Sequence, residues 1–125
     1  MVETIYTPNA PTSQFPISQA TKAGNLYFLS GQTPTDRITG ETVGNTIEEQ
    51  AEQVMKNIQA ILESQGLDFS DVARATCYMS DMKDVPKFTE VFGRYFVGKP
   101  ARSCFAVHEL PRKCLCEIDV IAAAK

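Results

Sequence analysis

Between Thr46 and Gly66, apolar residues recur at steps of three and four: Ile47, Ala51, Val54, Met55, Ile58, Ile61 and Leu62. Gln50, Glu52, Gln53, Lys56 and Glu63 fill the other positions. This spacing predicts an amphipathic helix of about five turns with its apolar side toward a core. Thr46-Ile47-Glu48-Glu49 has the form of a capping box, and Gly66 is a stop. A second stripe, Val85, Phe88, Val91, Phe92 and Phe96, predicts a shorter helix ending near Gly98. Asp84 is its expected cap, and Pro86 suits its first turn.

The remaining apolar runs are short and read as strands. Ile17 to Lys22 and Asn25 to Ser30 flank Ala23-Gly24 and predict a hairpin. Leu26-Tyr27-Phe28-Leu29 is apolar throughout, which predicts a strand covered on both faces. Val72 to Ser80 is a third strand, and Arg102 to Val107 and Lys113 to Ala123 are the last two. Residues 1 to 16, with Pro8, Pro11 and Pro16, read as an irregular arm. Residues 31 to 44 read as a loop with a turn at Asp36 to Gly40. Neither repeat nor linker interrupts this order, so residues 1–125 read as a single α+β domain. The expected architecture is a two-layer sandwich, a mixed sheet with two helices on one face. Apolar residues on both sides of the late strands (Phe105, Val107, Ile118, Val120 and Ile121) would leave an apolar sheet face open. A homo-oligomer that covers this face is expected.

Composition narrows the partners. The 125 residues are 43% apolar and 22% charged with a net charge of −3, and no stretch concentrates Lys and Arg. A nucleic-acid partner is therefore not expected. No apolar run approaches the ~18 residues of a membrane span. The N-terminus has neither the basic start nor the apolar segment of a secretory signal, so a cytoplasmic location is expected, an organelle remaining open. In that compartment Cys77, Cys104, Cys114 and Cys116 read as reduced thiols that pack as small hydrophobes. A metal set of Cys104, His108, Cys114 and Cys116 is disfavoured by its C-x-C step.

The candidate chemistry lies in the last quarter of the chain. Arg102 and Glu117 each sit within an apolar strand, where a charge is normally paired or bound to something. An arginine fork suits a small carboxylate, and a nearby glutamate can orient or deprotonate a water. Each has a plainer reading: a structural ion pair for Arg102, an exposed-face carboxylate for Glu117. Strand alternation puts Arg102 and Cys104 on one face, Cα atoms roughly 6.5 Å apart, and Ser103 and Phe105 on the other. His108 falls ~20 Å beyond Arg102 at the strand's end, so a Cys–His nucleophile pair is poorly supported.

Pro100-Ala101-Arg102-Ser103 followed by Cys116-Glu117-Ile118 resembles the C-terminal signature of the RidA family, also called YjgF. Leu29-Ser30-Gly31-Gln32, the Gly40 turn, Gln50-Ala51, Asn57-Ile58 and Asp71-Val72 extend the resemblance over roughly residues 8 to 123. The resemblance implies a chorismate-mutase-like fold assembled as a homotrimer, with a central barrel and clefts between subunits. It implies hydrolysis of enamine and imine products of pyridoxal-phosphate enzymes, such as 2-aminoacrylate, to a 2-oxo acid and ammonia, without metal or organic cofactor. Arg102 would bind the substrate carboxylate and Glu117 would position the attacking water. Cys104 would line the pocket, and Gly31 would offer a backbone contact.

The chain departs from the family at several places. Phe15-Pro16-Ile17 stands where Gly-Pro-Tyr is usual, so Ile17 replaces a pocket-closing hydroxyl and implies a more apolar imino acid. Thr89 stands where many members have asparagine, and His108 and Cys116 also differ. Two other readings stay open: an endoribonuclease or translation inhibitor of the L-PSP type, and a non-catalytic, carboxylate-binding or chaperone-like trimer.

Overall fold

The computed structural model describes residues 1–125. Helix α1, Ile47–Ser64, begins on the capping box: Thr46 Oγ1 accepts the Glu49 amide and Glu49 Oε1 the Thr46 amide, both at 3.2 Å. At its end Gly66 takes a left-handed φ of 71°. The Gly66 and Leu67 amides turn back to the carbonyls of Glu63 and Leu62, each at 3.0 Å. Leu62 and Leu67 both enter the core, completing a Schellman stop. Helix α2, Val85–Tyr95, departs from expectation at its start. Asp84 is in αR conformation and makes no side-chain cap, because a 3₁₀ turn, Met82–Asp84, runs straight into the helix. Asp81 caps that turn instead, accepting the Lys83 amide at 2.9 Å.

Six strands form one sheet: β1 (Glu3–Ile5), β2 (Ala20–Ala23), β3 (Leu26–Gln32), β4 (Val72–Met79), β5 (Ala101–Ala106) and β6 (Cys116–Ala123). Their order across the sheet is β1-β2-β3-β6-β4-β5. β4 and β5 are parallel, joined by α2, and every other pair is antiparallel. The sheet is therefore mixed, with both helices on one face. Between the layers, Val54, Met55, Ile58 and Ile61 of α1 and Phe88 and Val91 of α2 meet Ala75, Cys77, Met79, Ile118 and Val120. No helix is long and apolar enough to cross a membrane.

Several expectations are corrected. The arm contains a strand, β1, and it is held down by Gln19. The Gln19 carbonyl oxygen accepts the Thr7 amide at 2.7 Å, and its amide nitrogen faces the carbonyls of Thr7, Ala10 and Pro11 at 2.9–3.2 Å. β3 is covered on one face only: Tyr27 and Leu29 are buried, whereas Leu26 and Phe28 are each 40% exposed. Ile118 and Val120 belong to the buried face, so the open one carries Phe28, Tyr78, Phe105 and Ile121 among polar residues. β6 starts at Cys116, because Lys113 lies in a 3₁₀ turn over Pro111–Lys113. Gln50, expected on the polar side of α1, is buried, and so is Asn57. Gln50 accepts the Leu115 amide at 2.7 Å and donates to the Gly44 carbonyl at 3.1 Å. Asn57 donates to the carbonyls of Thr33 and Thr35 at 3.1 and 3.0 Å. Both residues tie loops to α1, which satisfies buried polar groups on both sides.

Candidate active site

The pairing of β3 with β6 slips between Leu29 and Gln32: Leu29 faces Val120, while Gln32 faces Ile118. Three steps on β3 thus span two on β6, a β-bulge at Ser30-Gly31. The bulge sets Gly31 on the open face beneath Glu117, whose carboxylate occupies the space a Gly31 side chain would need. Here Glu117 is half buried. Burial pushes its carboxyl above the usual carboxylate range, and the charge of Asp119, two residues along the same face, pushes it further. Asp119 in turn accepts the Tyr78 hydroxyl at 2.6 Å. Tyr78 pairs directly with Glu117 across the sheet.

Glu117 and Gly31 line a cleft of about 500 Å³. Its walls come from the arm (Thr12, Ser13, Phe15), from Ile17 and Gln19, and from Thr33, Thr35 and Arg112. Phe15 and Ile17 stand on the rim, 77% and 60% exposed, and the lining is otherwise largely hydroxyl and amide.

Arg102 lies elsewhere. β5 pairs in parallel with β4 so that Arg102 is opposite Ala75 and Cys104 opposite Cys77, both on the helix face. The guanidinium lies over the Phe92 ring, 4.9 Å from its centroid, and Nη1 donates to Thr89 Oγ1 at 3.2 Å. No carboxylate pairs with it: the ion pairs of the chain are Lys83–Asp81, Lys87–Glu48, Arg94–Glu52 and Lys125 with Asp68 and Asp71. Cys104 sits half-buried beside it. Burial raises the Cys104 thiol more than the Arg102 charge lowers it, so the sulfur stays protonated at neutral pH.

The six residues singled out from sequence therefore form two groups. Ile17, Gly31 and Glu117 line the cleft on the open side; Thr89, Arg102 and Cys104 gather at the β5 edge on the helix side. Tyr78 pairs with both Glu117 and Phe105, so Arg102 is three residues down and two strands across from Glu117. Their Cα atoms are roughly 14 Å apart and their side chains leave opposite faces. One chain alone does not bring the two charges to one small molecule. Arg112 and Gln19 were absent from the sequence-derived set. Arg112 sits in no apolar run, and the reach of Gln19 into the arm has no local signal. His108 is exposed and lines a separate depression with Ser80 and Lys113.

Both groups fall within residues 7–124, the span that matches the profile described as Endoribonuclease L-PSP. A RutC family protein of Pyrococcus horikoshii is 48% identical over 123 residues, 98% of each chain. The chloroplastic Reactive Intermediate Deaminase A of Arabidopsis thaliana is 40% identical over 121 residues, 96% of this chain and 65% of that one. Among solved structures, E. coli TdcF with bound serine superposes with a TM-score of 0.91 at 31% identity, covering 98% of this chain and 99% of that one. The mixed sheet, the bulge under Glu117 and the arginine at the β5 edge thus belong to a member of the RidA (YjgF, endoribonuclease L-PSP) family.

Proposed function

We propose that this protein hydrolyses 2-imino acids and their enamine tautomers, 2-aminoacrylate among them, to 2-oxo acids and ammonia. The observation that carries the reading is the Glu117 carboxyl. It lies over the bare Gly31 backbone in an open cleft, unpaired and held above the ordinary carboxylate range. A carboxylate so placed is a general base tuned toward neutrality. The related Arabidopsis protein carries the name of a reactive intermediate deaminase, and TdcF holds serine, whose dehydration product is 2-aminoacrylate.

The reaction is assembled between two copies of the chain. One copy supplies the β5 edge, where Arg102 grips the substrate carboxylate with two parallel hydrogen bonds. Its neighbour supplies the cleft, where Glu117 orients a water toward the imine carbon. As the oxygen bonds to that carbon, Glu117 takes the water proton and passes it to nitrogen. The hydroxyl proton of the resulting carbinolamine then moves to nitrogen, again by way of Glu117, as the C–N bond breaks, releasing ammonia and leaving the carbonyl of the 2-oxo acid. An imine carbon is already electrophilic, so orientation and proton transfer suffice. Cys104, protonated, lines the pocket instead of attacking. A homotrimer would bury Phe28 and Phe105, 40% and 43% exposed in the single chain, and would close three such clefts.

Ammonia release from 2-aminoacrylate generated in situ tests the reading. Wild type should accelerate it, Arg102→Ala should weaken substrate binding, and Glu117→Ala should lower kcat by about 10²–10⁴. No acceleration by wild type, with ligand binding intact in Glu117→Ala, would leave a non-catalytic carboxylate binder. RNA cleavage surviving Arg102→Ala in pure protein would instead restore the ribonuclease reading.

A further inference from the structure

Arg112 brings a guanidinium to the cleft itself and has no partner of opposite charge. It lines the same walls as Glu117, Gly31 and Ile17. Its single hydrogen bond is a long one, Nη1 to Thr35 Oγ1 at 3.5 Å. None of the ion pairs in the chain includes it, so Glu117 does not neutralise it. Arginine that only solubilises a surface has no need of a fixed backbone, yet Arg112 is held in one. Its φ is 53°, followed by Lys113 at 54°, a left-handed pair that non-glycine residues adopt rarely and at a cost.

The group that Arg112 touches is itself braced. Thr35 is buried, its hydroxyl lies 2.7 Å from that of Thr33, and the carbonyls of both threonines accept the Asn57 side chain. A rigid chain of contacts therefore runs from the buried face of α1 to the guanidinium. Arg112 is exposed at the cleft wall, and its other guanidinium donors make no hydrogen bond within the chain. An unpaired fork beside hydroxyls is a receptor for a carboxylate. The reading does not compete with Arg102, which lies on the other face of the sheet and holds the carboxylate common to every 2-imino acid. Ile17, at the rim, would by itself favour an apolar side chain; the polar wall behind it points the other way.

We propose that Arg112 is a specificity-determining residue that binds a second carboxylate, on the side chain, so that imines of dicarboxylic amino acids are preferred substrates. This assignment rests on the deaminase reading above. The fork would engage the distal carboxylate while Glu117 acts at the imine carbon.

The test compares imines generated in situ by an amino-acid oxidase from a dicarboxylic amino acid and from alanine, with wild type, Arg112→Gln and Arg112→Lys. Wild type should show the higher kcat/KM for the diacid. Arg112→Gln should cut the diacid-to-monoacid ratio at least tenfold, chiefly through KM, and Arg112→Lys should restore part of it as a point charge without the fork. An equal loss on both substrates, or a wild type that favours the monoacid, would overturn the assignment. Calorimetric titration with 2-oxoglutarate and with pyruvate separates its failure from that of the deaminase reading. If no imine is turned over, a diacid binding preference lost in Arg112→Gln upholds the site, and equal affinities in wild type refute it.

Discussion

Gly31 and Glu117 share one volume: the Cβ that Gly31 lacks would fall on the Glu117 carboxylate. The obstruction is the far end of a flexible side chain, so Gly31→Ala displaces the carboxyl without forcing the sheet apart. The backbone at Gly31 needs no left-handed conformation, since Gly24, Gly40, Gly44 and Gly66 are the glycines with positive φ. Gly31→Ala should therefore change stability by less than about 1 kcal/mol while lowering kcat/KM by about 10²-fold, the loss typical of a catalytic group misplaced by 1 Å. Thermal unfolding alongside ammonia release separates the two effects. A variant with full activity would place the water elsewhere than over Gly31.

Opposite-face placement of Arg102 and Glu117 makes a sharper prediction about assembly. Arg102→Ala and Glu117→Gln, each nearly inactive alone, should complement when unfolded together and reassembled. In the proposed assembly, an interface between two different surface patches would join the Arg102 of one copy to the Glu117 of the next. In an equal mixture about a quarter of the clefts then receive both intact groups. Activity that stays at the level of the separate variants would mean that each chain completes its own site.

Periodicity made the two helices and five of the strands legible because each buries one face, and burial is what the spacing of apolar residues records. β1 escaped because a three-residue edge strand has no room for a period. Gln50 and Asn57 were misplaced or passed over for a related reason. Each looks solvated by residue type, and only the loops that fold back over α1 make each a buried partner. At the candidate site, the signature pointed to residues but not to where the fold puts them. Arg102 and Glu117 are close in sequence pattern, yet β4 lies between their strands and alternation turns them to opposite faces. Arg112, outside any strand, had no pattern to announce it.

Asp119 holds the Glu117 carboxyl up by charge, after burial. As the proposed base Glu117 must be deprotonated, so activity should be present above its raised pKa and lost as pH falls through it. Asp119→Asn removes the charge while keeping an oxygen for the Tyr78 hydroxyl, which that hydrogen bond holds protonated with a pKa pushed up to about 12. The acid limb of the kcat/KM profile should consequently move to lower pH in Asp119→Asn. The linked stability moves with it. A carboxyl raised in the folded state disfavours folding as pH climbs through the raised value, so the variant should lose less stability across that window than wild type. An acid limb that stays in place would remove Asp119 from the tuning of Glu117.

The arm owes its position to one amide. Gln19 offers an acceptor to the Thr7 amide and donors to the carbonyls of Thr7, Ala10 and Pro11, and the arm it fixes forms one wall of the cleft. Gln19→Ala leaves those buried backbone groups unsatisfied, which should lower stability by about 1–3 kcal/mol. Gln19→Glu should be worse at neutral pH, because a carboxylate would face carbonyls that need a donor. In mild acid the same carboxyl protonates, regains a donor, and part of the stability returns. Both variants should also lose substrate affinity as the wall loosens, without a change in the acid limb, since the Gln19 hydrogen bonds all go to the arm and none to Glu117. Hydrogen exchange at the arm amides measures the loosening directly: faster exchange confined to residues 7 to 19 is expected. Exchange that accelerates across the whole sheet would make Gln19 a global support for the fold rather than a clasp on the cleft wall.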